Sequence, residues 1–542
     1  MGTAAPASYR PAEDGPSLDH VALGDLLRRV AAAVPQRTAL VDGQADPAAR
    51  RRWTYAEMLE QAEAVGRYLA ARFEPGERVA LWASNQPEWV LFQYGAAMAG
   101  LVLVTVNPAY RAGELAYVLA QSRSVGVFHE RTYRGVRLGS VVEEVLAGLP
   151  DVRVVVDLAD WDEVLAEGRA LSGALPEVDP ASPCQIQYTS GTTGFAKGAL
   201  LHHLGAVNAA RYSAERANFA EGDAWVNPIP LFHVGGGVLT GVGALYRHGV
   251  HVVVPAFDPG LVLELVEAER GSLLLAVPTM LVGLLDHPDL ATRDLSSVRT
   301  VMSGSTVVPA ELVRRTKAAF DCDFSILFGQ TELHGVLTQT LPTDTDDDQA
   351  CTIGVALPHV ELAVCDPDSG EPVPIGESGE IRARGYQSML GYFEMPDATA
   401  ATLDAEGWLR TGDLGSMDER GYLRITGRLK DLIIRGGENI HPREIEELLR
   451  AHPSVAEVAV VGVADPTWGE QVGAVVQAAD PASPPSVAEL FAHCRAALAP
   501  FKTPKAWFRV AEFPLTPSGK IQKFVLKQWI ADGTLQPESE GA

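Results

Sequence analysis

The spacing of hydrophobic positions changes along this chain, and each change marks an element. "TYAEMLEQAEAVGRYLAARF", from Thr54, opens with Thr54 and Glu57 spaced as a capping box. Leu59, Ala62, Val65 and Leu69 follow at helical spacing, which predicts an amphipathic helix. "RVALWA" (78–83) and "LVLVTV" (101–106) are apolar throughout instead of at alternate positions, as strands buried on both faces are. A helix over residues 113–120 leads to another such strand, "VGVFH". The same alternation returns in "VHVVVPA" (250–256) and "LLLAVP" (273–278). Apolar strands separated by helices predict an α/β fold with parallel sheets covered on both sides. The apolar stretch 89–106 is at the short limit for a bilayer, and Gly95 and Gly100 interrupt it. It reads as a buried helix followed by a buried strand, and no transmembrane segment is expected.

After about Gly427 the pattern changes. "PREIEELLRAHP" (442–453) is helical, "VAEVAVVGVAD" and "EQVGAVVQAAD" are strands, and "VAELFAHCRAALAP" (487–500) follows a Pro/Ser-rich stretch as a helix. This predicts a separate small α+β domain. The expected architecture is a large multi-layer N-terminal domain, residues 1–429, with parallel sheets and a small β region near 366–427. A small mobile C-terminal domain, 430–542, completes it. The acidic run "TDTDDDQ" (343–349) lacks the glycine and terminal glutamate of a calcium loop and reads as a solvated loop.

Charge narrows the partners. With 542 residues and a net charge of −25, the chain's field disfavours nucleic acid, which would reward a basic stripe, although a local pocket can still take an anion. Five scattered cysteines without a C-x-x-C pair disfavour zinc and disulfides and fit a reduced, cytoplasmic setting. The opening "MGTAAPASYRPAEDGPS" has no signal-peptide pattern, and Pro6 breaks the myristoylation pattern.

The chemistry concentrates in "YTSGTTGFAKGAL" (188–200). Thr189, Ser190, Thr192 and Thr193 supply hydroxyls, while Gly191 and Gly194 let backbone N–H groups approach oxygen closely. Lys197 adds a mobile positive charge. This is a phosphate-binding composition, yet it is not a Walker A loop, because Lys197 is followed by Gly198 and no glycine directly precedes it.

The segment resembles the phosphate loop of the adenylate-forming superfamily, which includes acyl-CoA synthetases, peptide-synthetase adenylation domains and firefly luciferase. Five further segments resemble that family in order: "PLFHVGG" (230–236), "FGQTE" (328–332), "GWLRTGD" (407–413), "GRLKDLIIRGGENIHPREIE" (427–446) and "PLTPSGKIQK" (514–523). The resemblance implies ATP, Mg²⁺ and coenzyme A as cofactors and co-substrates, and a small-molecule carboxylic acid as substrate. It implies an ATP/AMP site formed by Thr189, Ser190, Gly191, Thr192, Thr193, Gly194, Lys197, Ser303, Gly304, Ser305, Phe328, Gly329, Gln330, Thr331, Asp413 and Arg428. Glu332 and Thr192 would serve the metal, and Glu332, His233 and Lys520 the chemistry. Lys430 would be the hinge, and Arg435, Gly436 and Gly437 the coenzyme A loop. The residue types suit these roles: a carboxylate is a hard ligand for Mg²⁺, a flat ring can cover adenine, an aspartate can accept from ribose hydroxyls, and a lysine on a turn can carry charge into a cleft. Three places depart from the family pattern. Phe328 stands where tyrosine is usual, Ala196 where proline is favoured, and Leu333–His334 where small or hydroxyl residues are common.

The implied reaction converts an acid to an acyl-adenylate and then to a thioester. The acceptor is coenzyme A or an acyl carrier protein, and homodimer formation stays open. A luciferase-like oxygenase and a non-catalytic ATP-binding protein are the other readings. Family adenylation enzymes for α-amino acids carry an aspartate just after the segment like "PLFHVGG"; here "VGGGVLTGVGALY" (234–246) has no carboxylate, so a buried ammonium would lack a partner. The acyl pocket is expected to involve His233, Val234, Gly235, Gly236, Val277 and Met280. Small and apolar residues there favour a medium- or long-chain fatty acid over an aryl acid. The same glycines would equally allow a helix to pack closely.

Overall fold

A computed structural model describes residues 7–189, 196–306, 308–435, 438–515 and 520–538. The chain forms two compact units. The larger comprises Arg10–Leu362 and Ala383–Arg410; the smaller comprises Met1–Tyr9, Ala363–Arg382 and Thr411–Ala542.

The larger unit contains two sheets. In the seven-stranded sheet the order is Gly391–Tyr392, Lys197–His202, Pro183–Thr189, Val102–Val106, Arg78–Trp82, Ser124–His129, Val154–Asp157. From Pro183–Thr189 onward every pairing is parallel; the first two strands are added antiparallel. The nine-stranded sheet has a parallel centre running Asp323–Phe328, Thr300–Gly304, Gly271–Leu275, Ala224–Asn227, Val250–Val253, Thr38–Asp42. These strands are buried because helices cover the sheet faces, as the unbroken apolar runs predict.

The local readings hold where the signal is local. Thr54 caps the helix Tyr55–Ala70 in a complete capping box with Glu57. The apolar stretch 89–106 divides into the helix Pro87–Met98, buried at every residue, and the strand Val102–Val106. No helix among the described residues is long and apolar enough to cross a membrane. The acidic run differs from expectation: Asp346–Cys351 is a short helix, not a loop. The Thr345 hydroxyl accepts from the Asp348 N–H, and Asp346, Asp347 and Asp348 stand in the first turn, where the helix dipole favours negative charge.

A five-stranded sheet, in the order Tyr9–Arg10, Val360–Cys365, Gly379–Gly385, Leu409–Met417, Leu423–Arg428, makes up the small β region. Beyond it, Val455–Asp465 and Gly469–Ala478 form a long antiparallel pair joined by Ile433–Arg435 and Ala506–Arg509. Their alternation serves two cores. Val458 and Val460 pack with Ile445, Leu449 and Leu490 of the helices Pro442–Arg450 and Val487–Ala497. Ala459 and Val461 pack on the other face with Leu526 of the helix Lys523–Ala531.

Candidate active site

In the larger unit, the candidate residues gather at the carboxyl ends of parallel strands, where open α/β sheets bind ligands. Thr300–Gly304 and Asp323–Phe328 are neighbours in register, Ser303 beside Ile326 and Gly304 beside Leu327. Ser303 is buried, and its hydroxyl has no partner among the described residues; Ser305 is exposed, with φ 66°. Half-buried Phe328 ends its strand, and Gly329 follows. A Cβ at Gly329 would lie 2.4 Å from the Gly335 carbonyl oxygen, so only glycine lets the loop fold back. The Gln330 carbonyl closes that turn, accepting from the N–H groups of Leu333 and Gly335, and Thr331–Leu333 is a single helical turn.

Glu332 lies in this turn and is buried. Its carboxylate Oε1 accepts from the Tyr392 hydroxyl at 2.6 Å, and its carbonyl accepts from the Met389 N–H at 2.8 Å. Tyr392 reaches it because Gly391–Tyr392 pairs with Lys197–His202, with Ala199 opposite Tyr392. The Lys197 ammonium stands 4.9 Å from the centroid of the same ring. Burial, and then the adjacent carboxylate, push the Tyr392 hydroxyl pKa far upward, so it stays a donor. One tyrosine thus touches both the loop lysine and the buried glutamate.

Thr189 and Lys197 face each other across the antiparallel hairpin that carries the phosphate-type loop. Ser190, Gly191, Thr192, Thr193 and Gly194 lie outside the described residues. The Tyr117 hydroxyl donates to the Ala196 carbonyl at 2.8 Å, fixing the far end of that loop.

His233 is half-buried, and its carbonyl accepts from the N–H groups of Gly236 and Gly237. Gly235–Thr240 makes a π-helical turn before the helix Gly241–Tyr246. A Cβ at Gly236 would lie 2.3 Å from the Pro230 oxygen, at Gly237 2.4 Å from the Leu231 oxygen, and at Gly243 3.0 Å from the Trp225 ring. Those glycines permit close packing. Gly235 differs: its nearest neighbour, Ile229, would be at an ordinary 3.5 Å, with Leu275 at 3.9 Å. Val277 precedes the helix Pro278–Leu285, and Met280 is partly buried against the core beneath it.

His334 is fully buried, and burial pulls its pKa down to about 3. Its ring is 4.7 Å from that of His202 and nearly perpendicular to it.

The smaller unit holds a second group. Asp413 and Arg428 are opposite each other in the antiparallel pair Leu409–Met417 and Leu423–Arg428. Arg428 Nε donates to the buried Asp413 carboxylate at 2.7 Å, while the guanidinium remains partly exposed. A ready-made carboxylate–guanidinium pair can present both an acceptor and a fork of donors to a ribose or phosphate. Lys430 lies in the short turn Leu429–Asp431 that leads to the strand Ile433–Arg435. Arg435 stacks on the exposed Trp468, 4.7 Å from the ring centroid. Gly436 and Gly437 are outside the described residues. Lys520 precedes Ile521, which bridges to Leu515.

Sequence reasoning missed Tyr392, Met389 and the partners of His334. The one available signal for Tyr392 is its place in "GYF", ten residues ahead of the end of a helix, which carries no chemistry by itself.

The larger unit thus carries strand-end loops and a hydroxyl- and glycine-rich hairpin, and the smaller unit a paired aspartate and arginine. Residues 27–393 match the AMP-binding enzyme family and residues 444–520 match the AMP-binding enzyme C-terminal domain. The chain belongs to this family and is an AMP-forming acid–thiol ligase. It is 38% identical over 539 residues to the putative acyl-CoA synthetase YngI of Bacillus subtilis, covering 94% of this chain and 97% of that one. To the human mitochondrial medium-chain acyl-CoA ligase ACSF2 it is 34% identical over 544 residues, covering 94% and 88%. Among solved structures, ATP-bound MatB from Rhodopseudomonas palustris superposes with a TM-score of 0.84 at 30% identity, covering 94% of this chain and 99% of that one. The anthranilate CoA ligase AuaEII in complex with anthranoyl-AMP gives 0.82 at 26% identity, covering 94% and 97%.

Proposed function

We propose that this ligase activates a medium- or long-chain fatty acid with ATP and transfers the acyl group to coenzyme A. The main support for the adenylation site is the contact chain from Lys197 through Tyr392 to Glu332 beside the phosphate-type hairpin. In the proposed first step an acid carboxylate oxygen attacks the α-phosphorus of ATP and pyrophosphate leaves. In the second the coenzyme A thiol attacks the acyl carbon and AMP leaves. A carboxylate alone has no good leaving group; the adenylate provides one.

Lys520 bridges the acid and the α-phosphate, neutralising two anions held in line. Phe328 with Ser303, Gly304 and Ser305 receives adenine, Asp413 and Arg428 the ribose and phosphate, and Lys197 with the loop 190–194 the remaining phosphates. Glu332 suits a hard divalent cation: it is a buried carboxylate with one oxygen held by Tyr392. Together with Thr192 it would hold Mg²⁺, whose charge would offset that of the ATP phosphates. The C-terminal part, 430–542, turns at Lys430 between the two steps, and Arg435, Gly436 and Gly437 serve coenzyme A.

The acid assignment draws on three things: the name of the ACSF2 relative, the absence of any carboxylate in residues 234–246, and the apolar surroundings of Gly235. Each buried methylene adds about 0.8 kcal/mol, so preference should rise with chain length until the pocket is full. The test is kcat/KM across saturated acids from acetate to palmitate, with benzoate, cinnamate and leucine alongside. A maximum at benzoate or cinnamate, or strong activity with leucine, refutes the assignment.

A further inference from the structure

His334 takes no part in the chemistry proposed above, yet it is the hub of the contacts around Glu332. Its backbone is left-handed, φ 53°. Nδ1 lies 2.7 Å from the Gln387 carbonyl oxygen, and Nε2 lies 3.1 Å from both the amide nitrogen and the carbonyl oxygen of His202. A neutral imidazole has one donor and one acceptor; the shorter contact, to a carbonyl that only a donor can face, takes the Nδ1–H, and Nε2 accepts from the His202 N–H. His202 is committed in the same way: Nδ1 accepts from the Gly205 N–H at 3.1 Å, and Nε2–H donates to the Ser388 carbonyl at 3.0 Å. The two rings therefore hold two consecutive carbonyls. The next residue, Met389, donates its N–H to the Glu332 carbonyl, and Tyr392 donates its hydroxyl to the Glu332 carboxylate.

Gly205 makes this possible. It stands in the first turn of the helix His203–Arg216, where alanine is the better helix former. A Cβ there would lie 2.5 Å from Cε1 and 2.6 Å from Nε2 of His334. The ring occupies the volume that any larger residue at 205 would need.

We propose that His334, seated over Gly205, is the positioning residue that sets Glu332, tying the turn that carries Glu332 to the segment 387–392 that holds it at both carbonyl and carboxylate. The inference rests on Glu332 serving Mg-ATP.

Gly205→Ala displaces the ring without touching a group assigned to the chemistry. In the ligand-free protein, hydrogen–deuterium exchange at the Met389 amide should speed by about tenfold, the size of one buried hydrogen bond. In pyrophosphate exchange, the half-saturating Mg²⁺ concentration should rise by about tenfold while kcat at saturating Mg²⁺ stays within about twofold. His334→Ala should do the same. Adding Gly205→Ala to His334→Ala should change nothing further, because the displaced ring is already gone. His334→Asn keeps a donor near Nδ1 and tolerates the left-handed backbone, so it should stay near wild type. Unchanged Met389 exchange, additive losses in the double variant, or an equal fall in both half-reactions with no change in Mg²⁺ dependence overturns the proposal. Absence of acid-dependent exchange in the wild type with every acid would instead defeat the reading of Glu332, while Met389 exchange in the ligand-free protein still decides whether the histidine pair sets the segment.

Discussion

Replacing Tyr392 by phenylalanine removes one oxygen and leaves the ring that packs beneath Lys197. The lost group donates a 2.6 Å hydrogen bond to the Glu332 carboxylate, which is 9% exposed. Few waters can replace that donor. A hydrogen bond to a charged acceptor contributes about 1.5–3 kcal/mol, which corresponds to roughly ten- to a hundredfold in a rate or affinity. ATP–pyrophosphate exchange by Tyr392→Phe should fall by that factor, mostly through weaker Mg²⁺ dependence. Thioester formation from supplied acyl-adenylate and coenzyme A should stay within about twofold of wild type, because that step does not need pyrophosphate or its metal. A melting curve checks that the fold survives. Exchange within twofold of wild type at limiting Mg²⁺ would refute the idea that Tyr392 matters through Glu332.

The other expectations concern separate parts of the molecule. Lys520→Ala removes a charge worth roughly 4 kcal/mol at 4 Å and an effective dielectric near 20, so adenylation should slow by about three decades while supplied acyl-adenylate is still converted; near-wild-type pyrophosphate exchange would rule that role out. Lys430→Pro fixes φ at the proposed hinge, and adenylation should survive while thioester formation collapses, whereas equal loss in both would point to another pivot. Stability should fall with acid. Burial lowers His203 to about 3 and His251 to about 4 from an ordinary 6.5, so the unfolded chain takes up the protons first. The contribution is complete above about pH 6.5 and declines as pH drops toward 3–4, losing about 2 kcal/mol per histidine by pH 5. Urea melts at pH 7.5 and 5.0 measure it, and His251→Gln should shrink the difference by about 2 kcal/mol.

The chain shows its fold where the cause is local or periodic. Thr54 and Glu57 cap a helix across three residues, and the runs at 78–83 and 101–106 are apolar because both of their faces are covered. The acidic run 343–349 misleads: its charge suggests solvent, but Thr345 and the helix dipole turn the same aspartates into a helix start. The candidate residues can be named by resemblance, since each motif sits in one short stretch. Asp413 and Arg428, named separately from two motifs, meet because the two strands pair in register. Tyr392 was not legible, because it owes its place to a strand pairing with Ala199, almost two hundred residues earlier. The glycines at 234–246 carry a mixed message for the same reason: sequence gives their size, while only the fold tells that Gly236 meets a backbone oxygen and Gly235 does not. His334, a departure from the family pattern, is a buried neutral ring with both nitrogens engaged, which no short stretch of sequence announces.

In the proposed function one protein performs two ordered half-reactions, adenylation and then thioester formation. The direct measurement is ATP–pyrophosphate exchange with a saturated fatty acid and Mg²⁺ in the absence of coenzyme A, followed by coenzyme A addition with AMP and thioester quantified together. Acid-dependent exchange is expected before coenzyme A is added, then equal amounts of AMP and acyl-CoA afterwards. Exchange absent with every acid, or AMP released on coenzyme A addition without thioester, would contradict it.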